Sequence, residues 1–229
     1  MPRYFKDLHQ TLRFRVLGPL ALGGVVAFSA AAWDFDRLQK IVQQRYGNFA
    51  AKLVKDWEAS LAGARNQSES DKLKRINDFF NRHLRFEDDP LVWDQEDYWA
   101  TPVEFMGKGT GDCEDFVIAK YFSLRELGIA KEKLRLTYVR AKIGGPSSSI
   151  SQAHMVLTYY AAPDAEPLVL DNLIGEIRPA SRRADLTPVY SFNTDGVFAG
   201  SGQRPAAPVE RLSRWKDLLN KMQAEGMEP

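Results

Sequence analysis

The one cysteine of this 229-residue chain, Cys113, stands in the run Gly111-Asp112-Cys113-Glu114-Asp115-Phe116, straight after the glycine-rich segment 107–111. Apolar residues follow it at helical spacing, Phe116, Val117, Ala119, Tyr121 and Leu124, until Gly128 stops the pattern. A thiol at a helix start meets the positive end of the helix dipole, which favours the thiolate. The free backbone N–H groups there could also hold an oxyanion. Such a nucleophile needs a base, and the chain offers three histidines. His9 lies in the first, apolar segment, and His83 lies in the polar helical stretch 81–84, where an exposed histidine is expected. His154 opens the strand-like run His154-Met155-Val156-Leu157-Thr158 after a flexible loop. The next apolar run, 167–170, leads straight into Asp171-Asn172. Two adjacent antiparallel strands could set Asp171 beside His154, to hold the imidazole in one tautomer. Asp-Asn equally suits a turn, and His154 equally suits a structural role. Spacing alone does not choose.

Three acids crowd the thiol. Asp112 reads as the N-cap of the helix, with Asp115 three residues on as its capping-box partner. Negative charge beside a thiol raises its pKa, against what nucleophilic attack needs. A bound hard cation would remove that conflict, and oxygen ligands of this kind suit Ca²⁺, which takes 6–8 of them. The spacing is not that of an EF-hand loop. Glu87, Asp88, Asp89 and Asp94 read as a solvated loop, and Trp93 and Trp99 as aromatic packing.

These residues need a frame. Periodicity predicts helices over 35–46, 48–64 and about 71–84, then an irregular stretch over 87–112. Strand-like runs follow at 134–141, 154–161 and 167–173, with a hairpin of 188–192 against 196–200. An amphipathic helix is expected over 208–225. Helices first and clustered strands after them predict an α+β fold with an antiparallel sheet. Residues 33–229 then form one domain, with a helical part 33–86, a core 87–205 and the terminal helix.

Composition narrows the function further. Thirty-one basic residues against 30 acidic ones, with no basic-aromatic stripe, exclude a nucleic-acid binder. Residues 1–32 read as a secretory signal: Arg3, Lys6, Arg13 and Arg15 precede an apolar run that ends in small residues. Cleavage is expected before Trp33, because the run is short and carries Gly18, Pro19, Gly23 and Gly24, which does not suit a membrane span. Its removal leaves 27 basic against 29 acidic residues. With one cysteine no internal disulfide can form, so export marks the thiol as a candidate functional group.

The order Cys…His…Asp, with Gly-x-Cys at a helix start, resembles the transglutaminase-like branch of the papain-type cysteine enzymes. The blocks Gly111-Asp112-Cys113-Glu114-Asp115, Ala153-His154-Met155-Val156-Leu157 and Leu170-Asp171-Asn172 resemble the bacterial transglutaminase-like cysteine proteinases more narrowly. The likeness covers most of residues 33–200 and includes Trp93-Asp94-Gln95-Glu96-Asp97-Tyr98-Trp99-Ala100-Thr101-Pro102. It implies Cys113 as nucleophile, His154 as general base and acid, Asp171 as orienter, and a Ca²⁺ site at Asp112, Glu114 and Asp115. It further implies a periplasmic endopeptidase that cuts the N-terminal region of a large surface adhesin at a paired-alanine site and so disperses biofilm. The same resemblance implies restraint by an inner-membrane cyclic-di-GMP receptor; a monomer is expected. The alternatives are acyl transfer to an amine, a cell-wall amidase, or a non-catalytic binding module of the same fold.

Overall fold

The structure, a computed structural model, describes residues 33–200, 202 and 204–228. The signal expected over 1–32 lies outside them. Among the described residues no helix is long and apolar enough to cross a membrane.

Three amphipathic helices open the domain: α1 (Phe35–Tyr46), α2 (Asn48–Ala64) and α3 (Glu69–His83). Asp34 caps α1 by accepting from the Arg37 N–H, and Ser68 caps α3 by accepting from the Asp71 N–H. Gly47, at φ 90°, turns α1 into α2, a conformation that a side chain would oppose. The buried stripe of α2 (Leu53, Val54, Trp57, Leu61) faces the core.

The stretch 87–112, expected to be irregular, is largely folded. It contains α4 (Asp89–Trp93) and α5 (Pro102–Lys108). Short strands β1 (Arg85–Phe86) and β2 (Thr110–Gly111) pair in parallel around them. Helix α5 forms because Thr101 and Glu104 make a capping box ahead of Pro102, whose missing N–H costs nothing at that position. Each element is too short for periodicity to reveal.

Helix α6 (Cys113–Glu126) crosses the middle of the molecule and is buried almost all round from Asp115 to Leu124. Trp57 donates to the Ser123 hydroxyl at 2.9 Å, tying α2 to α6 through the core. The strands β3 (Leu134–Lys142), β4 (Ser151–Tyr159), β5 (Leu168–Leu170), β6 (Arg178–Pro179), β7 (Leu186–Asn193) and β8 (Gly196–Ala199) form one antiparallel sheet in the order β6-β5-β4-β3-β7-β8. Side chains alternate between its faces. Leu136, Met155, Leu157, Leu170 and Phe192 join the main core, whereas Val139, Val156 and Val169 form a small cluster of their own on the other face.

The terminal helix α7 (Ser213–Glu225) belongs to this core. Trp215 stacks on Phe122 at 5.6 Å and meets Phe192 edge-on at 5.4 Å. Trp215, Leu218 and Met222 are fully buried, which contributes on the order of 1.5–3 kcal/mol for each side chain. The two ends of the domain also meet. Trp33 donates to the Glu228 carbonyl, Arg37 donates to the Ala224 carbonyl, and Arg45 pairs with Glu225.

Candidate active site

Cys113 is the first residue of α6, and Asp112 is its N-cap, accepting from the Glu114 N–H at 3.1 Å. Strand β4 carries His154, opposite Val139 of β3. Pairing of β4 with β5 (Leu157 opposite Leu170) brings Asp171, the residue after β5, back beside His154. The His154 Nε2 and Asp171 Oδ1 lie 2.8 Å apart, and both side chains are buried. The Leu173 N–H donates to the same Oδ1 at 3.0 Å, and Asn81 donates to the Asp171 main-chain carbonyl at 2.7 Å. Cys113 and His154 line one cavity of about 240 Å³, together with Asp112 and Glu114, and with Phe86 and Leu173 as apolar wall. Among the described residues no hydrogen bond joins Cys113 to His154. Instead the thiol donates to Glu114 Oε2 at 2.7 Å. Burial pushes the Cys113 thiol well above its ordinary range, and the Glu114 and Asp112 carboxylates push it the same way. The lowering expected from the helix dipole is therefore outweighed in this arrangement.

Asp171 shows the opposite balance. Burial alone would raise it, but hydrogen bonds from His154, the Leu173 N–H and Arg183 outweigh burial and hold its carboxyl at about 2. A carboxyl lowered on folding stabilises the fold above its unfolded value of 3.8, and that stability is lost as pH falls from about 4 to about 2. The amount is roughly 2 kcal/mol. Acid unfolding checks this: Asp171→Asn is expected to flatten the loss of stability over that window, and an unchanged slope counts against it.

The acids do not gather as the sequence suggested. Ligand oxygens of Asp89, Asp112 and Asp115 lie within 4.8 Å of one another, whereas Glu114 groups with Asp112 and Cys113. Asp89, in a stretch whose acids suggest a solvated loop, is buried, at 3% exposure. It begins α4, and its Oδ2 accepts from the Tyr98 N–H, which turns the side chain inward. Asp115 is likewise buried and accepts from the Ala100 N–H at 2.8 Å. Asp89 Oδ1 and Asp115 Oδ2 are buried without a hydrogen-bond partner. Burial, reinforced by neighbouring carboxylates, raises Asp89 to about 6, Asp112 to about 10 and Asp115 well above its usual value. Buried carboxyl oxygens without partners, within 4.8 Å of one another and repelling each other's charge, are what a hard cation would hold ionised, so these residues fit Ca²⁺. Asp89 carried no mark in the sequence beyond its place before Pro90, because its partners lie 9 or more residues away.

Gly111 allows the acids to close up. A Cβ there would lie 2.2 Å from Asp115 Oδ2 and 2.8 Å from the Phe105 ring. Gly111→Ala is expected to cost about 1–3 kcal/mol in urea unfolding at unchanged m-value. A wild-type midpoint would mean that Asp115 has room to move.

Trp99 is core, stacked on Phe192 at 5.7 Å, and Trp93 packs on Tyr98 at 4.5 Å. His83 is exposed, stacked on Phe79. A second residue escaped the sequence reading: Arg183, whose Nη2 lies 2.7 Å from Asp171 Oδ2. Nothing local distinguishes it from Arg182.

Residues 48–187 match the family model of the bacterial transglutaminase-like cysteine proteinases, BTLCP. Among solved structures, LapG of Legionella pneumophila is 38% identical, with a TM-score of 0.70 over 82% of this chain and 97% of that one. Its EGTA-treated form is 37% identical with a TM-score of 0.71, covering 82% of this chain and 97% of that one. Its calcium-bound form is 37% identical with a TM-score of 0.69, covering 82% and 98%. No curated protein matches the chain.

Proposed function

The chain belongs to the bacterial transglutaminase-like cysteine proteinases, and from that footing we propose a calcium-dependent periplasmic endopeptidase acting on a large surface adhesin. It is a cysteine protease by family; the residue roles, substrate and setting are the proposal.

Cys113 attacks the scissile carbonyl. His154 takes the thiol proton and passes it to the departing amine, leaving a thioester that water then hydrolyses. With Nε2 engaged by Asp171, Nδ1 is the nitrogen left to face the thiol. Asp171 fixes that tautomer and stabilises the imidazolium. Backbone N–H groups at the start of α6 receive the oxyanion. The observation that carries this reading is the 2.8 Å contact of His154 with Asp171, beside a cavity that His154 shares with Cys113.

Asp89, Asp112 and Asp115 would hold calcium, with Glu114 as the neighbouring fourth acid. When bound, the cation supplies positive charge that offsets the carboxylates now raising the thiol. Support comes from the partnerless oxygens of Asp89 and Asp115, and from the existence of a calcium-bound structure of the related LapG.

The finer setting rests on the resemblance of the sequence blocks. The exported chain, cut before Trp33, acts as a monomer. It cleaves the N-terminal region of the adhesin at a paired-alanine site, so releasing it and dispersing biofilm, under restraint by an inner-membrane cyclic-di-GMP receptor. The small cavity, about 240 Å³, suits small side chains at the cut. The test is to incubate the purified protein with the N-terminal region of such an adhesin, in calcium or in EGTA. A cut between paired alanines in calcium, suppressed by EGTA, is the expected outcome. Amide formation with an added amine in place of a cut would turn the reading to acyl transfer.

A further inference from the structure

Asp171 has two carboxylate oxygens, and the fold treats them differently. Oδ1 accepts from His154 and from the Leu173 N–H. Oδ2 accepts from Arg183 Nη2 at 2.7 Å. Arg183 follows the single 3₁₀ turn Ala180–Arg182, which comes directly after β6, and β6 pairs with β5. That short return carries the guanidinium back against the residue that ends β5. Asp185 grips the same guanidinium from outside: Nε reaches both of its oxygens, at 3.0 and 3.2 Å, and Nη2 reaches Oδ2 at 2.8 Å. Side-chain exposure along the chain Asp185–Arg183–Asp171–His154 is 15%, 1%, 0% and 2%. A guanidinium is seldom buried unless planar, directed recognition of a carboxylate is required.

We propose that Arg183 is a positioning residue of the catalytic triad: it occupies Asp171 Oδ2 and fixes the carboxylate so that Oδ1 alone meets the His154 imidazole. The proposal rests on the protease reading. Arg183 touches no reacting atom and acts through Asp171. Without it, Oδ2 would be a buried anionic oxygen with no partner, and the carboxylate could rotate about its Cβ–Cγ bond and lose the His154 geometry. Asp185 clamps the arginine from the solvent side, so the guanidinium is held by two carboxylates and the triad acid is held by the guanidinium.

The charged groups facing Asp171 are His154 from β4, Arg183, Asp185, and Lys120 from α6, which is fully buried. Those facing Arg183 are Asp171 and Asp185. Removing a buried cation from this group favours the protonated form of each titrating member.

The experiment compares wild type, Arg183→Met and Arg183→Lys in the full chain with calcium. Folding is checked by circular dichroism and by the calcium-induced rise in melting temperature. Arg183→Met is expected to lower kcat about tenfold to a hundredfold, with KM changed less than about threefold. Both limbs of its kcat/KM profile are expected to move to higher pH. Arg183→Lys, which keeps the charge and one hydrogen bond, should restore most of the pH profile and only part of kcat. A folded Arg183→Met with wild-type kcat and an unmoved profile overturns the proposal. If that variant does not fold, Asp185→Asn loosens the clamp while leaving Asp171 paired. A fall in kcat of several-fold then supports the role, and wild-type kcat overturns it. Should the wild type cleave nothing, the protease reading fails separately. The low-field proton resonance of the His154–Asp171 hydrogen bond then decides: displaced in Arg183→Met it supports positioning, and unchanged it overturns it.

Discussion

Cys113→Ala is expected to abolish cleavage, lowering kcat/KM by at least about 10⁴-fold. The size follows from the mechanism. No other thiol exists in the chain, and no hydroxyl stands at the start of α6 to replace it. The thioester route is then closed, and what remains is water acting on a bound peptide beside the oxyanion-binding N–H groups. Cys113→Ser should recover little, because an alkoxide is far harder to form than a thiolate where acids already oppose ionisation. The fold should survive, since Cys113 is half-buried and its thiol hydrogen bond to a side chain goes to its own neighbour Glu114. A calcium-induced melting shift equal to that of wild type verifies this. Cleavage by Cys113→Ala within tenfold of wild type would remove Cys113 from its role.

Calcium is expected to raise the melting temperature by about 5–10 °C at a hundredfold excess over its dissociation constant. That concentration corresponds to about 2.7 kcal/mol of stabilisation. A domain of this length shifts about 2–4 °C for each kcal/mol. Asp89→Asn separates calcium binding from simple destabilisation, because two effects run in opposite directions. Asn can still accept from the Tyr98 N–H, so the turn into α4 is preserved. It removes one charge from a buried, mutually repelling set, so the calcium-free protein should melt no lower than wild type, or higher. It also removes a ligand, so the calcium shift should vanish. Asp115→Asn should behave alike. An Asp89→Asn protein that keeps the full calcium shift would exclude Asp89 from the site.

What could be read in advance follows the range of each interaction. Helices α1, α2 and α6 announce themselves in residues spaced three and four apart, and all three begin where expected. Strands β3 and β4 were legible from their Val, Leu and Tyr content, although β4 starts at Ser151 and carries His154 inside it. The convergence of Cys113, His154 and Asp171 on one region was legible only through the resemblance of short blocks, since nothing in their spacing fixes strand order. Helix α5 went unread although Thr101-Pro102-Val103-Glu104 spells a capping box, because seven residues give no periodicity. Asp89 and Arg183 went unread for a different reason. Each is a charged residue in a polar neighbourhood, and only chain return brings it inside: past Tyr98 and Asp112 for the first, and beside Asp171 for the second. A buried charge is defined by its partners, and these partners are distant in sequence.

The meeting of Trp33 with Glu228, backed by Arg37 on Ala224 and Arg45 on Glu225, makes the domain nearly a closed ring. Circular permutation should therefore be tolerated. A linker of a few residues can join the old ends, and new ones can open in the segment 144–149, which is bends and turns between β3 and β4. Such a permutant would place a fluorophore or a fused reporter at the mouth of the loop that leads into His154.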